Sequence, residues 1–301
     1  MQGILRPIVA LVSALAALTS PATAQNTRVE AVESQYNSIY VYQNPTYVTM
    51  TFGHNERLYT ESMANRFDQT ELPVTYTRFM TLPLAYRAET SDVLEIGMGG
   101  GSTIWYLHKT FPELTLDVVE LDPAVVELAR KYFFVKPGEK LNIDVRDGRI
   151  FLRKSDKKYD AILVDAYRGP FVPFHLLTRE FFEIVEDSLK PGGVVAQNVE
   201  PSTMLYDAAL ATIASVFDHL DVYRASGNYV VIAYNGEAKS DAELAARAAE
   251  IDRTFSPRYR MSEMIEGRTV PEKIEGDVLT DDFAPVEALH ATERHNRRPQ
   301  D

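Results

Sequence analysis

The chain has 301 residues, of which 45% are hydrophobic and 25% charged, so it is long enough to bury a full hydrophobic core. Its formal net charge of −12 argues against nucleic acid as a partner, and its lack of cysteine excludes disulfides and thiolate chemistry. The six histidines are scattered without a zinc-binding spacing such as HExxH, so no metal site is predicted.

The first 24 residues have the three parts of a secretory signal peptide. Arg6 provides the positive charge, residues 8–18 form a short apolar run, and an A-x-A cleavage motif ends at Ala24. The apolar run is far shorter than the roughly 20 residues that cross a bilayer. We therefore expect an exported protein, periplasmic or secreted, that begins at Gln25 and has no membrane span in its mature chain. N-terminal sequencing of the exported protein would test this.

Residues 25–86 are predicted to form a small β-domain followed by a linking helix. The segments 39–42 and 47–52 are strand-like, and the second turns into a third at 57–59. These patterns predict a hairpin or a three-stranded sheet whose first strand starts well beyond the cleavage site. A helix is expected to start at Pro73 and to run through Leu84.

Residues 92–122 read as a strand, a glycine loop, a helix and a second strand. Gly97, Gly99, Gly100 and Gly101 follow the first strand, and the second strand ends in Glu120. Glycines permit positive φ and let a ligand approach the backbone. An acid about 20 residues after such a loop is placed to bind ribose hydroxyls. The loop has neither a P-loop ending nor a clean GxGxxG spacing, so a cofactor without phosphates fits better.

Strands and helices keep alternating up to residue 198, which predicts an α/β fold with a mostly parallel, doubly wound, Rossmann-like sheet. The strands 220–223 and 229–234 are joined only by residues 224–228, too short for a parallel crossover, so they predict a terminal antiparallel hairpin. We expect four parts: a signal peptide (1–24), the β-domain and linking helix (25–86), the cofactor-binding domain (87–236), and a C-terminal helix with a charged, loop-rich tail (237–301).

Polar residues follow all of the predicted parallel strands, at the edge where ligands of α/β sheets bind. A single acid there is often only a helix N-cap. Together the acids predict a pocket for a cationic, hydroxyl-rich nucleoside. In chain order the residues are Glu95, Glu120 with Asp122, Asp147 with Gly148, Asp165, and Gln197 with Asn198.

The order and spacing of several motifs resemble the spermidine synthase (polyamine aminopropyltransferase) family across roughly residues 33–236. The resemblance implies the fold of class I S-adenosylmethionine-dependent transferases, with a methyltransferase-type sheet. It also implies transfer of an aminopropyl group from decarboxylated S-adenosylmethionine to a small-molecule amine, without a metal. The motifs are VLEIGMGGGST (93–103), VVELDPAVV (118–126), DGRIFL (147–152), YDAILVDAYRGP (159–170) and LKPGGVVAQN (189–198).

The resemblance also implies roles for individual residues. Asp165 would be the catalytic residue that accepts a proton from the attacking amine. The amine substrate would contact Tyr76, Tyr167, Arg168 and Tyr223. The cofactor would be bound by Glu95, Gly97, Gly99, Gly101, Glu120, Asp122, Asp147 and Gly148.

Two departures from the family pattern predict an altered amine pocket. Gly100 stands where the family has an aspartate, and Arg168 stands where it has a second acid. At a distance of about 4 Å from an ammonium group of the substrate, the attraction that is lost and the repulsion that replaces it are each on the order of 4 kcal/mol. Two alternatives stay open. One is a methyltransferase, in which Gly100 leaves room for the methionyl carboxylate and Arg168 or Arg78 pairs with it. The other is an exported, non-catalytic nucleoside- or polyamine-binding protein. The sequence does not specify the acceptor, and it is compatible with a homodimer.

Overall fold

The computed structural model of the protein describes residues 26–54, 57–168, 172–200 and 205–284. The predicted signal peptide and its cleavage site lie outside these ranges. No helix within them is long and apolar enough to cross a membrane.

The N-terminal part of the chain forms an antiparallel sheet of four strands in sequential order. The expected hairpin or three-stranded sheet was therefore too small, because one more strand begins at Thr27, soon after the predicted cleavage site. This strand lies at the sheet edge, and its Val29 is 39% exposed. An exposed edge strand needs no strict alternation of apolar and polar residues, so the sequence pattern did not reveal it. The strands are β1 (Thr27–Glu33), β2 (Ser38–Gln43), β3 (Tyr47–His54) and β4 (Arg57–Asn65).

The segment that links this sheet to the rest of the chain contains two short helices, α1 (Thr75–Phe79) and α2 (Pro83–Tyr86). The prediction of one continuous helix from Pro73 through Leu84 was wrong. Pro83 has no backbone N–H to donate to the preceding turn, and its ring clashes with the carbonyl there. It therefore occupies the first turn of a new helix.

The rest of the described chain builds an eight-stranded sheet. Its strands are β5 (Asp92–Ile96), β6 (Thr115–Glu120), β7 (Leu141–Val145), β8 (Tyr159–Val164), β9 (Leu189–Val199), β10 (His219–Ala225), β11 (Asn228–Tyr234) and β12 (Arg268–Thr269). Their order is β12-β10-β11-β9-β8-β5-β6-β7. β5 to β9 are parallel, and β10 and β11 form the predicted antiparallel hairpin. β12 adds a strand from the segment that the sequence suggested to be loop-rich.

Helices cover both faces of this sheet. Val93 and Leu94 are adjacent in β5, yet they belong to two separate hydrophobic cores, because successive side chains of a strand point to opposite faces. The remaining helices are α3 (Ser102–Thr110), α4 (Pro123–Tyr132), α5 (Gly148–Lys154), α6 (Arg179–Asp187), α7 (Leu205–Ala214), α8 (Asp241–Phe255) and α9 (Met261–Ile265).

The N-terminal sheet packs on one side of α4. Val125 and Leu128 of this helix share a buried cluster with Ile39, Val41 and Met50 of the small sheet. Burying each of these side chains contributes about 1.5–3 kcal/mol. The small sheet is thereby held next to the end of β6, which immediately precedes α4.

A buried polar network joins α2 to β10, the strand next to the edge strand β12 of the large sheet. The Tyr86 hydroxyl donates to Asp221 Oδ2 at 2.7 Å and lies 2.6 Å from the Tyr223 hydroxyl. Arg268 Nε lies 2.8 Å from Asp221 Oδ2. Asp221 is 1% exposed and Tyr223 is fully buried. Tyr223, which the family resemblance assigned to the amine substrate, therefore has its hydroxyl in the core.

We expect Asp221→Asn to destabilise the protein by roughly 3–5 kcal/mol, because it removes the buried partner of Arg268 and leaves only the exposed Asp241 to compensate the guanidinium. Urea denaturation measures the change in the free energy of unfolding. Asp241→Asn is the matched control, since Asp241 pairs with the same arginine but its side chain is 88% exposed. That change should cost less than about 1 kcal/mol. Equal effects of the two substitutions would contradict the prediction.

Candidate active site

The parallel register aligns the predicted site residues along one edge of the sheet. Ile96 of β5 pairs with Val164 of β8 and with Val119 of β6. Val164 pairs in turn with Gln197 of β9. The residue that follows on each strand therefore falls into the next row of the sheet. That row contains Gly97, Glu120, Asp165 and Asn198.

The glycine loop lies against the end of β8. Gly97 has a φ of 88°, and a Cβ on it would be 2.4 Å from the carbonyl oxygen of Asp165. Only glycine adopts this conformation and permits this approach at low cost. Gly99 and Gly101 also have positive φ, at 49° and 70°. The loop and Asp165 are consequently neighbours, as the sequence motifs implied.

The Glu120 carboxylate accepts hydrogen bonds from two backbone amides. Its Oε2 accepts a hydrogen bond from the Met98 amide at 2.9 Å, and its Oε1 accepts one from the Asp122 amide at 2.9 Å. Burial raises the pKa of this carboxyl, while the two amides oppose that rise. A carboxylate oxygen can accept more than one hydrogen bond, so Glu120 keeps the capacity to accept from ribose hydroxyls.

Asp165 is oriented by two donors. The Tyr76 hydroxyl donates to its Oδ2 at 3.0 Å, and Asn198 Nδ2 donates to its Oδ1 at 2.8 Å. Asn198 Oδ1 accepts from Asn228 Nδ2 at 2.8 Å, which turns the Asn198 amino group toward Asp165. Burial raises the pKa of Asp165, and both of its donors lower it. The result is a positioned, partly desolvated carboxyl group of the kind that accepts a proton during catalysis.

Tyr167 completes this group from the chain segment that follows β8. Its hydroxyl donates to the Asn198 carbonyl at 3.0 Å. Burial, followed by the nearby charge of Asp165, raises the pKa of Tyr167 well above its ordinary value, so the phenol keeps its proton. The structure thus brings together Tyr76, Tyr167 and Asp165, which the resemblance had assigned to the same site.

Two predicted cofactor ligands serve as helix N-caps. Asp122 caps α4 by accepting from the Ala124 amide at 3.0 Å. Its other oxygen accepts from the Ser34 hydroxyl and from Asn37 Nδ2, the latter at 3.1 Å. The residue is 1% exposed, so its carboxylate mainly ties the N-terminal sheet to α4.

Asp147 caps α5 by accepting from the Ile150 amide at 2.9 Å, and its Oδ2 lies 2.7 Å from His175 Nε2. The hydrogen bond with His175 lowers the pKa of Asp147. A Cβ on the next residue, Gly148, would lie 2.4 Å from Ile96 Cγ2. Gly148 therefore lets α5 start directly against the end of β5, close to the glycine loop.

Of the two arginines considered for a methionyl carboxylate, Arg78 is engaged by other groups and Arg168 lines an outer cavity. Arg78 Nε donates to the Leu72 carbonyl at 2.9 Å, and its guanidinium stacks 4.6 Å from the Tyr259 ring centroid. Arg168 is exposed and lines a polar cavity of about 240 Å³ together with residues 33–38 and Gly53. Arg168 thus stands at an outer cavity that also contains the acid Glu33.

Gly100 does not open free space in the site. A Cβ at this position would meet the Phe133 ring at 2.5 Å and Ser62 Cβ at 2.9 Å. Its amide donates to Ser62 Oγ at 2.7 Å. Phe133 and Ser62 of the N-terminal sheet therefore occupy the space that a side chain at position 100 would need.

Two further acids lie near Glu120 and Asp165, the buried Glu95 and the half-buried Glu61. Glu95 is 2% exposed, and its Oε2 has no hydrogen-bond partner among the described residues. Glu61 of β4 likewise has a buried, unpartnered Oε1 within the described part of the chain. Burial, then the charges of Asp165 and Glu120, raise the pKa of both groups well above the ordinary value. Sequence reasoning identified Glu95 but missed Glu61, which no motif marks.

Comparisons with known proteins identify the family of the chain. The sequence profile of the Spermine/spermidine synthase domain matches residues 74–225. Over 300 residues the chain is 29% identical to the polyamine aminopropyltransferase of Vibrio vulnificus (strain CMCP6), covering 95% of this chain and 99% of that protein.

Two solved structures show the same fold. A spermidine synthase in complex with the transition state analogue AdoDATO has 21% identity and a TM-score of 0.65, over 81% of this chain and 84% of the other. Human methyltransferase-like protein 13 in complex with SAH has 25% identity and a TM-score of 0.56, over 62% of this chain and 94% of the other. The predicted Rossmann-like, methyltransferase-type fold is confirmed. The profile match, which spans half of the chain, shows that this protein belongs to the spermine/spermidine synthase family of transferases.

Proposed function

We propose that the protein transfers an aminopropyl group from decarboxylated S-adenosylmethionine to an amine. The observation that supports this best is the position of Asp165, which Tyr76 and Asn198 hold in the same strand-end row as Glu120. In this proposal Glu120 accepts from the ribose hydroxyls, and Asp165 accepts the proton that the attacking amine must lose.

The charge of the site fits a cationic ligand. Glu95 and Glu61 each bury a carboxylate oxygen that has no partner among the described residues. Such groups are costly to bury as anions unless they take up a proton or a cationic ligand compensates their charge. The sulfonium compound supplies an electrophilic carbon. The chain itself has to bind its positive charge, align the amine and accept one proton.

The amine pocket of this proposal differs from that of a diamine-specific enzyme. Arg168 is a cation three residues after Asp165, and it lines the outer cavity together with Glu33. It repels a second ammonium group, so we expect a diamine such as putrescine to be a poor acceptor. An amine whose far end is neutral or negatively charged suits this cavity better.

Two measurements test the proposed function. Calorimetric titration should show that decarboxylated S-adenosylmethionine binds about ten times more tightly than S-adenosylmethionine, because the additional carboxylate of the latter meets like charges. Product analysis with a panel of monoamines, diamines and amino acids should then identify the acceptor. Preference for S-adenosylmethionine together with methylated products would favour the methyltransferase. Binding without any product would favour a non-catalytic binding protein.

A further inference from the structure

β4 of the N-terminal sheet contains a bulge at the acid Glu61. Met50 pairs with Ser62, and the next residue of β3, Thr51, pairs with Thr60, so Glu61 is an additional residue on β4. Such a bulge changes the direction of a side chain relative to a regular strand. In a regular strand, by contrast, successive side chains point to opposite faces of the sheet.

The bulge lies directly on the glycine loop. Ser62 Oγ accepts from the Gly100 amide at 2.7 Å, and a Cβ on Gly99 would lie 2.6 Å from the same oxygen. The small sheet therefore closes over the loop at this point. The loop itself offers no acid here, since residues 97–101 are glycines and one methionine. Phe133 and Ser62 occupy the space beside Gly100.

The Glu61 carboxylate lies among the groups assigned to the reaction. Its electrostatic neighbours are Asp165 and Glu120, and its charge in turn acts on the hydroxyls of Tyr76 and Tyr167. None of the ion pairs found between described residues includes Glu61, Glu95, Glu120 or Asp165. Acids grouped in this way are neutralised either by taking up protons or by binding a cation, and a cationic ligand of the site would serve the second role.

We propose that Glu61 binds the primary ammonium group of the aminopropyl arm and thereby selects the decarboxylated cofactor. This inference rests on the proposed function and assigns the selectivity to one residue of the N-terminal sheet. The same charge disfavours a cofactor that carries a carboxylate at that end. Glu61 is thus a specificity-determining residue that comes from outside the cofactor-binding domain.

Calorimetry of Glu61→Gln with three nucleosides tests this inference. Decarboxylated S-adenosylmethionine has the ammonium arm, S-adenosylmethionine adds a carboxylate, and methylthioadenosine lacks the arm. We expect the dissociation constant of decarboxylated S-adenosylmethionine to rise about 10- to 100-fold, because the substitution removes one charge-assisted hydrogen bond. That of methylthioadenosine should change less than about twofold, and that of S-adenosylmethionine should stay or fall. Glu127→Gln, a surface change of the same charge, is the control.

Thermal unfolding of the ligand-free variant gives an independent readout. Glu61→Gln removes one buried like charge, so we expect its midpoint to be equal to or higher than that of the unmodified protein. A lower midpoint, or an equal loss of affinity for all three nucleosides, would show that Glu61 only supports the fold and would overturn the inference. If the unmodified protein bound none of the nucleosides, the proposed function would fail, and this inference with it.

Discussion

Replacing Asp165 with asparagine should lower kcat about 10²- to 10⁴-fold, the usual contribution of a positioned proton acceptor. The dissociation constant of the cofactor should change by less than about fivefold, because the amide keeps nearly the same shape. Single-turnover product formation and calorimetry measure the two effects separately. Asp156→Asn is the control, since Asp156 is exposed and lies outside the site. Unchanged turnover in Asp165→Asn would exclude Asp165 as the proton acceptor.

Tyr76→Phe tests whether the Tyr76 hydroxyl tunes the pKa of Asp165 or only contributes to packing. The Tyr76 hydroxyl lowers the pKa of Asp165, so its removal should raise that pKa further. The acid limb of the pH profile of kcat/KM should then move to higher pH, because Asp165 must be ionised to accept a proton. The loss in kcat/KM at neutral pH should be about tenfold. A loss of rate without a movement of the limb would mean that Tyr76 serves only the packing.

Replacing Glu120 with alanine should weaken cofactor binding about 100-fold or more. The substitution removes the acceptor for the ribose hydroxyls and also the hydrogen bonds from the Met98 and Asp122 amides. Bonds to a charged group are worth about 1.5–3 kcal/mol each, and every 1.4 kcal/mol is a factor of about ten in affinity. Calorimetry with the decarboxylated cofactor measures the effect.

Glu120→Gln provides the graded comparison. The glutamine keeps one oxygen acceptor but presents an amino group to one of the two amides, so we expect a smaller loss of about tenfold. Glu127→Gln on the neighbouring helix α4 should leave affinity unchanged within about twofold. Equal affinities of the alanine, glutamine and unmodified proteins would mean that Glu120 shapes the glycine loop without contacting the nucleoside.

Several features of this site follow from the sequence alone, because they depend on neighbours in the chain. A glycine run directly after an apolar strand predicts the loop, and the acids at the ends of β6 and β8 predict Glu120 and Asp165 as site residues. Parallel strands place their carboxyl ends on one edge, so residues far apart in sequence, such as Gly97 and Asp165, come together once the strand order is known. The short connection between β10 and β11 likewise requires their antiparallel pairing.

Other features were decided only by the tertiary structure, because side chains compete for partners that lie far away in the chain. The acid Asp122 resembles a cofactor ligand in sequence, yet contacts with Ser34 and Asn37 engage it in the fold. Tyr223 is engaged in the same way by Tyr86 in the core. Glu61 is the additional residue of a bulge in β4, next to the Ser62 that accepts from the glycine loop. Neither a bulge nor the filling of a neighbouring space is visible in a local pattern, since each depends on how two separate segments pack.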